Sequence, residues 1–143
     1  MTNQIDKKYA HLKLRVVDAE YKYVLFDDQG EFLLAVRTIS EEVTTLPYSI
    51  FFTQDERSAI IPSHLNVNSV KDKDVKEWAC FHIVGEMPFG TVEGLIATIS
   101  NTLKAAKVGI CAVSSYKTDL FFVRQKNLET AKKSLEAEGW EFV

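Results

Sequence analysis

The chain has 143 residues, of which 46% are apolar and 26% are charged, and this composition is typical of a folded globular protein rather than a disordered one. Its 17 basic and 20 acidic residues give a formal net charge of -3. A protein that neutralises many phosphates needs a strong positive field, so we expect no nucleic-acid partner. The length suits one medium domain or two small ones.

The sequence does not predict a membrane protein. The longest stretches without Asp, Glu, Lys or Arg, 43–54 and 58–70, have twelve and thirteen residues. A membrane-spanning helix needs about 20 apolar residues. The first residues have no apolar block behind a basic patch, as a secretory signal would. We therefore expect a cytoplasmic protein with no membrane partner.

Neither the cysteines nor the histidines predict a metal or disulfide site. Cys80 and Cys111 are 31 residues apart, each within an apolar run, so we expect buried, reduced thiols. His11, His64 and His82 lie far apart, without the close spacing of ligands that is typical of zinc sites. We expect no metal and no cofactor.

The sequence also lacks a complete catalytic signature. Segment 85–91 has the glycine spacing of a phosphate-binding loop but not its lysine, and no GxSxG motif occurs. A small enzyme that uses Cys111, His82 or Asp119 is conceivable, but no nucleophile stands beside a base in the sequence. We therefore predict a non-enzymatic protein with no catalytic residue.

The first half of the chain combines strand-like and helix-like patterns. Alternating or β-rich segments predict strands at 12–17, 21–26, 48–52 and 57–61. Apolar residues at steps of three and four from Phe32 to Leu46 predict a helix that ends before Pro47.

The second half has a clearer order of elements. Strands are predicted at 78–84, 110–116, 119–123 and 140–143. An amphipathic helix is predicted at 92–106, with Gly109 as the stop signal after it. A second helix begins after Asn127 and ends at Gly139. The order βαββαβ predicts an α+β, ferredoxin-like fold, in which both helices cover one face of an antiparallel sheet.

The two halves share a weak internal repeat. Thr53 and Asp55 between two strands correspond to Thr118 and Asp119 between two others, at an offset of about 64 residues. We therefore predict two related domains, residues 1–70 and 76–143, with antiparallel sheets. The polar, charged segment 67–76 is the predicted linker.

The predicted hairpin strands of the second half are apolar on both faces. In a sheet with helices on one side and water on the other, apolar and polar residues should alternate along each strand. Residues 110–113 and 120–123 do not alternate in this way. Another surface must therefore cover this sheet or extend its edge. A second copy of the chain would do so.

One corner of the second half suits a small ligand. Gly94 falls in the first turn of the predicted helix, where a missing side chain gives access to free amide groups at the positive helix end. The hairpin that ends at Asp119 adds hydroxyls and an acid that can receive an ammonium or guanidinium group. Alternatively, Gly94 serves packing and Asp119 fixes the turn.

These same residues carry a resemblance to a known family. The segment Ser114-Ser115-Tyr116-Lys117-Thr118-Asp119 between two strands, after a helix marked by Gly94, resembles an ACT domain of the CASTOR type. Such domains occur in cytosolic arginine sensors and in small bacterial tandem ACT proteins. Segment 49–61 is similar to the companion segment of that family, and the resemblance covers about 48–143, with only an outline match before it.

The resemblance implies a ferredoxin-like fold in each half and regulatory ligand binding at an interface between ACT domains. It also implies that two of the site residues, Gly109 and Ile110, come from the partner domain. The implied ligand-binding residues are Phe89, Gly90, Gly94, Gly109, Ile110, Ser115, Tyr116, Thr118 and Asp119. Because the arginine sensors have four ACT domains and this chain has two, a complete site of that kind requires a homodimer.

The leading functional hypothesis is therefore a cytoplasmic regulatory protein that binds an amino acid or a similar small ligand. A regulated protein partner is conceivable. The alternative is a protein–protein interaction module without a ligand, in which the apolar sheet joins two subunits.

Overall fold

The computed structural model of the chain describes residues 9–87 and 94–143. The α+β class predicted from the sequence is confirmed. In chain order, the strands and helices are β1 Lys13–Val16, β2 Tyr21–Phe26, α1 Gln29–Glu42, β3 Ser49–Phe52, β4 Arg57–Pro62, β5 Val75–Val84, α2 Leu95–Ala105, β6 Ile110–Ser114, β7 Asp119–Arg124 and α3 Leu128–Ala137.

The chain divides into two compact units. Unit 1 combines the N-terminal segment up to Asp18 with Ala79–Val143, and unit 2 is Ala19–Trp78. This division differs from the predicted boundaries 1–70 and 76–143, because β1 pairs with β5 in unit 1. The pattern of residues 12–17 identifies a strand but carries no information about its partner.

In unit 1, the strand order is β1-β5-β7-β6. β1 runs antiparallel to β5, and β6 runs antiparallel to β7, with Ser114 opposite Asp119. The predicted last strand forms a single parallel bridge between Phe142 and Leu14, supported by the amide of Val143, which donates to the Leu14 carbonyl oxygen at 2.8 Å. β1 therefore lies between β5 and the C-terminal segment.

The core of unit 1 lies between its sheet and the helices α2 and α3. Because side chains alternate along a strand, Phe121 and Val123 of β7 point to the same face, and both are fully buried among helix residues. We call this the helix-bearing face of unit 1. On the other face, Cys80 and Phe122 are also fully buried, which agrees with the apolar pattern of these strands.

Unit 2 has the strand order β3-β4-β2, and β2 also pairs with the first part of β5. Its core lies between this sheet and α1, and includes Val24, Phe32, Ile39 and Ile61. β5 begins at Val75, so it starts inside the segment predicted to be a linker.

The connection from β4 to β5 is anchored by a buried lysine. Lys22 of β2 is 7% exposed, and its Nζ donates to the carbonyl oxygen of Leu65 at 2.7 Å. Burial lowers the pKa of Lys22, and the charge of Lys71 lowers it further.

None of the helices in the described residues has the length and apolar character that a membrane span requires.

Candidate functional site

The turn between β6 and β7 is stabilised by its own polar groups. The amide of Ser115 donates to the carbonyl oxygen of Thr118 at 2.8 Å, and the Ser115 hydroxyl donates to the same oxygen at 2.9 Å. The amide of Thr118 in turn donates to the Ser115 Oγ at 3.3 Å. Tyr116 is 74% exposed in this turn.

A threonine fixes this turn against the end of β5. The Thr118 hydroxyl donates to the carbonyl oxygen of Ile83 at 2.8 Å. Ile83 lies two residues before Gly85, where the chain leaves β5 and continues towards α2. The structure therefore brings the predicted hairpin to the end of β5 from which the strand-to-helix corner begins.

Asp119, the first residue of β7, is buried at this corner. It is 7% exposed, and strand alternation places its side chain on the helix-bearing face, together with Phe121 and Val123. Within residues 9–87 and 94–143, its carboxylate makes no hydrogen bond and no ion pair. Its carboxylate oxygens are not among the fully buried polar atoms of the described residues that lack a hydrogen bond, so they stay open to the surface of the corner, where a cationic group can reach them.

Gly94 lies directly before α2 rather than in its first turn, as the sequence suggested. It is the N-cap residue and has φ 74°, a left-handed conformation that favours glycine. A Cβ atom at this position would lie 3.2 Å from the hydroxyl of Tyr9. The glycine therefore has a structural reason, and α2 begins without a capping side chain.

The N-terminal segment before β1 also lines the corner, and sequence reasoning missed it. Gly85 has φ 130°, and a Cβ atom there would lie 2.9 Å from Leu12 Cδ2. The His11 Nε2 lies 3.0 Å from the carbonyl oxygen of Glu86. The Tyr9 ring stacks on a tryptophan ring of the C-terminal segment. These are isolated residues without a periodic pattern, so nothing in the sequence indicates their position.

Two other predicted site residues do not join this corner within unit 1. Gly109 and Ile110 lie at the start of β6, and the turn follows its other end, about 13 Å away at roughly 3.3 Å per residue. Gly109 has no packing constraint, since a Cβ atom there would meet nothing within 4 Å. Phe89 and Gly90 lie outside the described residues.

The structure does not bring together the groups of the enzyme alternative. His82 is on β5 and Cys111 on β6, and β7 lies between these strands, so their backbones are about 9.5 Å apart, or two strand spacings. Burial lowers the pKa of His82, and the facing Arg15 lowers it further. Burial raises the pKa of the Cys80 thiol. No group of three potential metal-ligand side chains occurs in the described ranges.

Comparison with known proteins concerns the family and the fold. Residues 75–137 match the family model of the ACT domain. This match covers β5, α2, β6, β7 and α3, so it contains the hairpin and Asp119. A search of the curated proteins finds no match to the chain.

Solved structures with the same fold cover nearly the whole chain. A protein of Agobacterium tumefaciens has a TM-score of 0.71 at 21% identity, and the match covers 93% of this chain and 92% of that one. The ligand-free regulatory subunit of aspartate kinase from Thermus thermophilus has a TM-score of 0.59 at 10% identity, over 85% and 93% of the two chains.

A further match is a portion of a larger enzyme, the aspartate kinase of Clostridium acetobutylicum. It has a TM-score of 0.60 at 16% identity and covers 89% of this chain but 34% of that one. These likenesses show an ACT-like fold.

Proposed function

We propose that the protein is a non-enzymatic regulatory protein that binds an amino acid, or a similar small ligand with a cationic group, at the Asp119 corner of unit 1. The ACT-domain match over 75–137 supports a regulatory role, as does the fold shared with a regulatory subunit of aspartate kinase. The observation that carries the proposal is the carboxylate of the largely buried Asp119, which has no protein partner in the described part of the chain.

The charges of the corner favour a zwitterionic ligand. The largely buried Asp119 residue has no cationic partner among the described residues, and an ammonium or guanidinium group of a ligand can pair with its carboxylate. The positive end of α2, which Gly94 leaves without a capping side chain, favours a carboxylate. An amino acid that bridges Asp119 and the start of α2 would have both of its charges complemented.

The two units are interpreted as tandem ACT domains, of which unit 1 contains the ligand site. A homodimer in the cytoplasm is part of this proposal, because Gly109 and Ile110 lie away from the corner and can reach a site only on a partner domain. In such an assembly, ligand binding favours one subunit arrangement, with a coupling of about 1 to 3 kcal/mol.

Calorimetric titration with each of the twenty amino acids tests the proposal. We expect at least one to bind and Asp119→Asn to weaken it at least tenfold, because the carboxylate that pairs with its cation is lost. Asp55→Asn, an exposed carboxylate in the turn of unit 2, is the matched control and should bind as the wild type does. Failure of every amino acid to bind, or unchanged binding by Asp119→Asn, would contradict the proposal.

A dimerisation module without a ligand is the second candidate. β6 is the last strand in the order of unit 1, so it has an edge that another chain can pair with. Its residues Cys111 and Val113 are half-buried. An intact dimer that binds none of the twenty amino acids would favour this candidate.

A further inference from the structure

Unit 2 contains a corner built like that of unit 1. In its turn from β3 to β4, the amide of Thr53 donates to the carbonyl oxygen of Glu56 at 2.8 Å, as Ser115 does in the other turn. Phe52 stands opposite Arg57, as the corresponding pair flanks the turn of unit 1. Arg57 therefore corresponds to Asp119, a shift of 62 residues, whereas the sequence comparison gave about 64.

The two corresponding residues carry opposite charges. Strand alternation places Arg57 on the same face as Ala59 and Ile61, which pack in the core beneath α1. Its Nη2 donates to Oε1 of Gln29, the first residue of α1, at 3.0 Å. Its guanidinium also lies over the ring of Phe52, 5.7 Å from the centroid. Arg57 thus joins the start of β4 to the start of α1.

A side chain also caps the first turn of α1. Asp28 is the N-cap residue, and its Oδ1 accepts a hydrogen bond from the amide of Glu31 at 2.9 Å. At the start of α2, Gly94 has no side chain to do this. Unit 2 therefore supplies from its own sequence a carboxylate at the helix start and a cation at the strand start.

We propose that Asp28 and the Arg57–Gln29 pair close the corner of unit 2, in the place that a ligand takes in unit 1, so that each chain binds a single ligand. This inference rests on the proposed function of unit 1. Two aromatic rings lie beside the pair, Phe32 in the core and Phe52 at the surface, with their centroids 6.4 Å apart. At the position in unit 2 that corresponds to Asp119, Arg57 stands in place of the acidic residue that would attract a cationic ligand.

Amide hydrogen exchange of the full chain without added ligand tests the closure itself. Glu31 and Ala97 occupy the same third position of α1 and α2. After correction for sequence effects, we expect the Glu31 amide to exchange about fivefold more slowly, since a hydrogen bond contributes about 1 kcal/mol. Asp28→Ala should remove the difference. Equal exchange of the two amides in the wild type would overturn the inference.

Binding stoichiometry with the twenty amino acids tests its consequence. We expect one equivalent per chain, binding at least tenfold weaker in Asp119→Asn, and unchanged stoichiometry in Arg57→Gln. Two equivalents per chain, or residual binding in Asp119→Asn that Arg57→Gln abolishes, would overturn the inference. Binding of none of the amino acids would refute the proposed function, and hydrogen exchange would then decide whether the corner of unit 2 is closed.

Discussion

Two buried ionisable residues of this chain differ in how their charges are satisfied. The ammonium of Lys22 donates to the Leu65 carbonyl oxygen and lies near Asp74, which raises its pKa against the effect of burial. The carboxylate of Asp119 has no such partner among the described residues. Because buried charges are normally paired, the proposed ligand site is at Asp119 and not at Lys22.

His82 should make the protein less stable in acid. Its folded-state pKa lies below the ordinary 6.5, so the stability it contributes is complete above pH 6.5 and is lost as the pH falls through the folded value. Urea unfolding at about pH 7.5 and about pH 5 should show a larger loss for the wild type than for His82→Gln. The exposed His64 is the control, and His64→Gln should behave as the wild type does. An equal loss in His82→Gln would refute this role.

The two cysteines should differ in reactivity. Cys80 is fully buried, and burial raises the pKa of its thiol, whereas Cys111 is half-buried on β6. Because the thiolate is the reactive form, a maleimide should label the native protein at Cys111 and label Cys80 only after unfolding. Mass spectrometry checks this, and native labelling that persists in Cys111→Ser would contradict it.

At the scale of elements, periodicity predicts the helices and strands but not all of their ends. Apolar residues at steps of three and four identify α1, yet the helix begins at Gln29, since Asp28 caps it there. The predicted strand 78–84 begins at Val75 instead, because its first residues pair with β2. Both differences arise from hydrogen bonds that hydrophobic periodicity does not encode.

The bend after β5 should depend on a glycine. Gly85→Ala puts a Cβ atom 2.9 Å from Leu12 in a backbone conformation with φ 130°, so we expect a loss of at least about 2 kcal/mol in the free energy of unfolding. Gly109→Ala is the matched control, because a Cβ atom there meets nothing within 4 Å, and it should stay within about 0.5 kcal/mol of the wild type. Similar losses in the two variants by urea unfolding would disprove this explanation.

At the scale of the whole molecule, the chain order and the spatial order of the strands differ. The whole of unit 2 lies in the sequence between β1 and the second part of β5, yet these two strand segments pair. The internal repeat indicates two units but cannot show that one is inserted into the other, because pairing between distant strands leaves no local pattern. The same limit applies to the candidate site: the sequence predicts Asp119 and its turn, but not that the Tyr9 hydroxyl lies beside Gly94.

The division into units predicts where a core substitution acts. Leu14 of β1 is fully buried in the core of unit 1, so Leu14→Ala should cost about 2 to 5 kcal/mol. In hydrogen exchange, the loss of protection should appear in α3 of unit 1 and not in α1 of unit 2. Greater loss in α1 would instead support the boundary at residue 70 that the sequence suggests.

Two-dimensional NMR spectra, recorded as each of the twenty amino acids is added, test the central claim most directly. We predict that a binding amino acid shifts the amide signals of Thr118, Asp119 and Ala97 in unit 1 and leaves those of Glu31 and Arg57 in unit 2 in place. Spectra in which no amino acid moves the Asp119 signal, or in which the unit 2 signals move instead, would contradict a ligand site at Asp119.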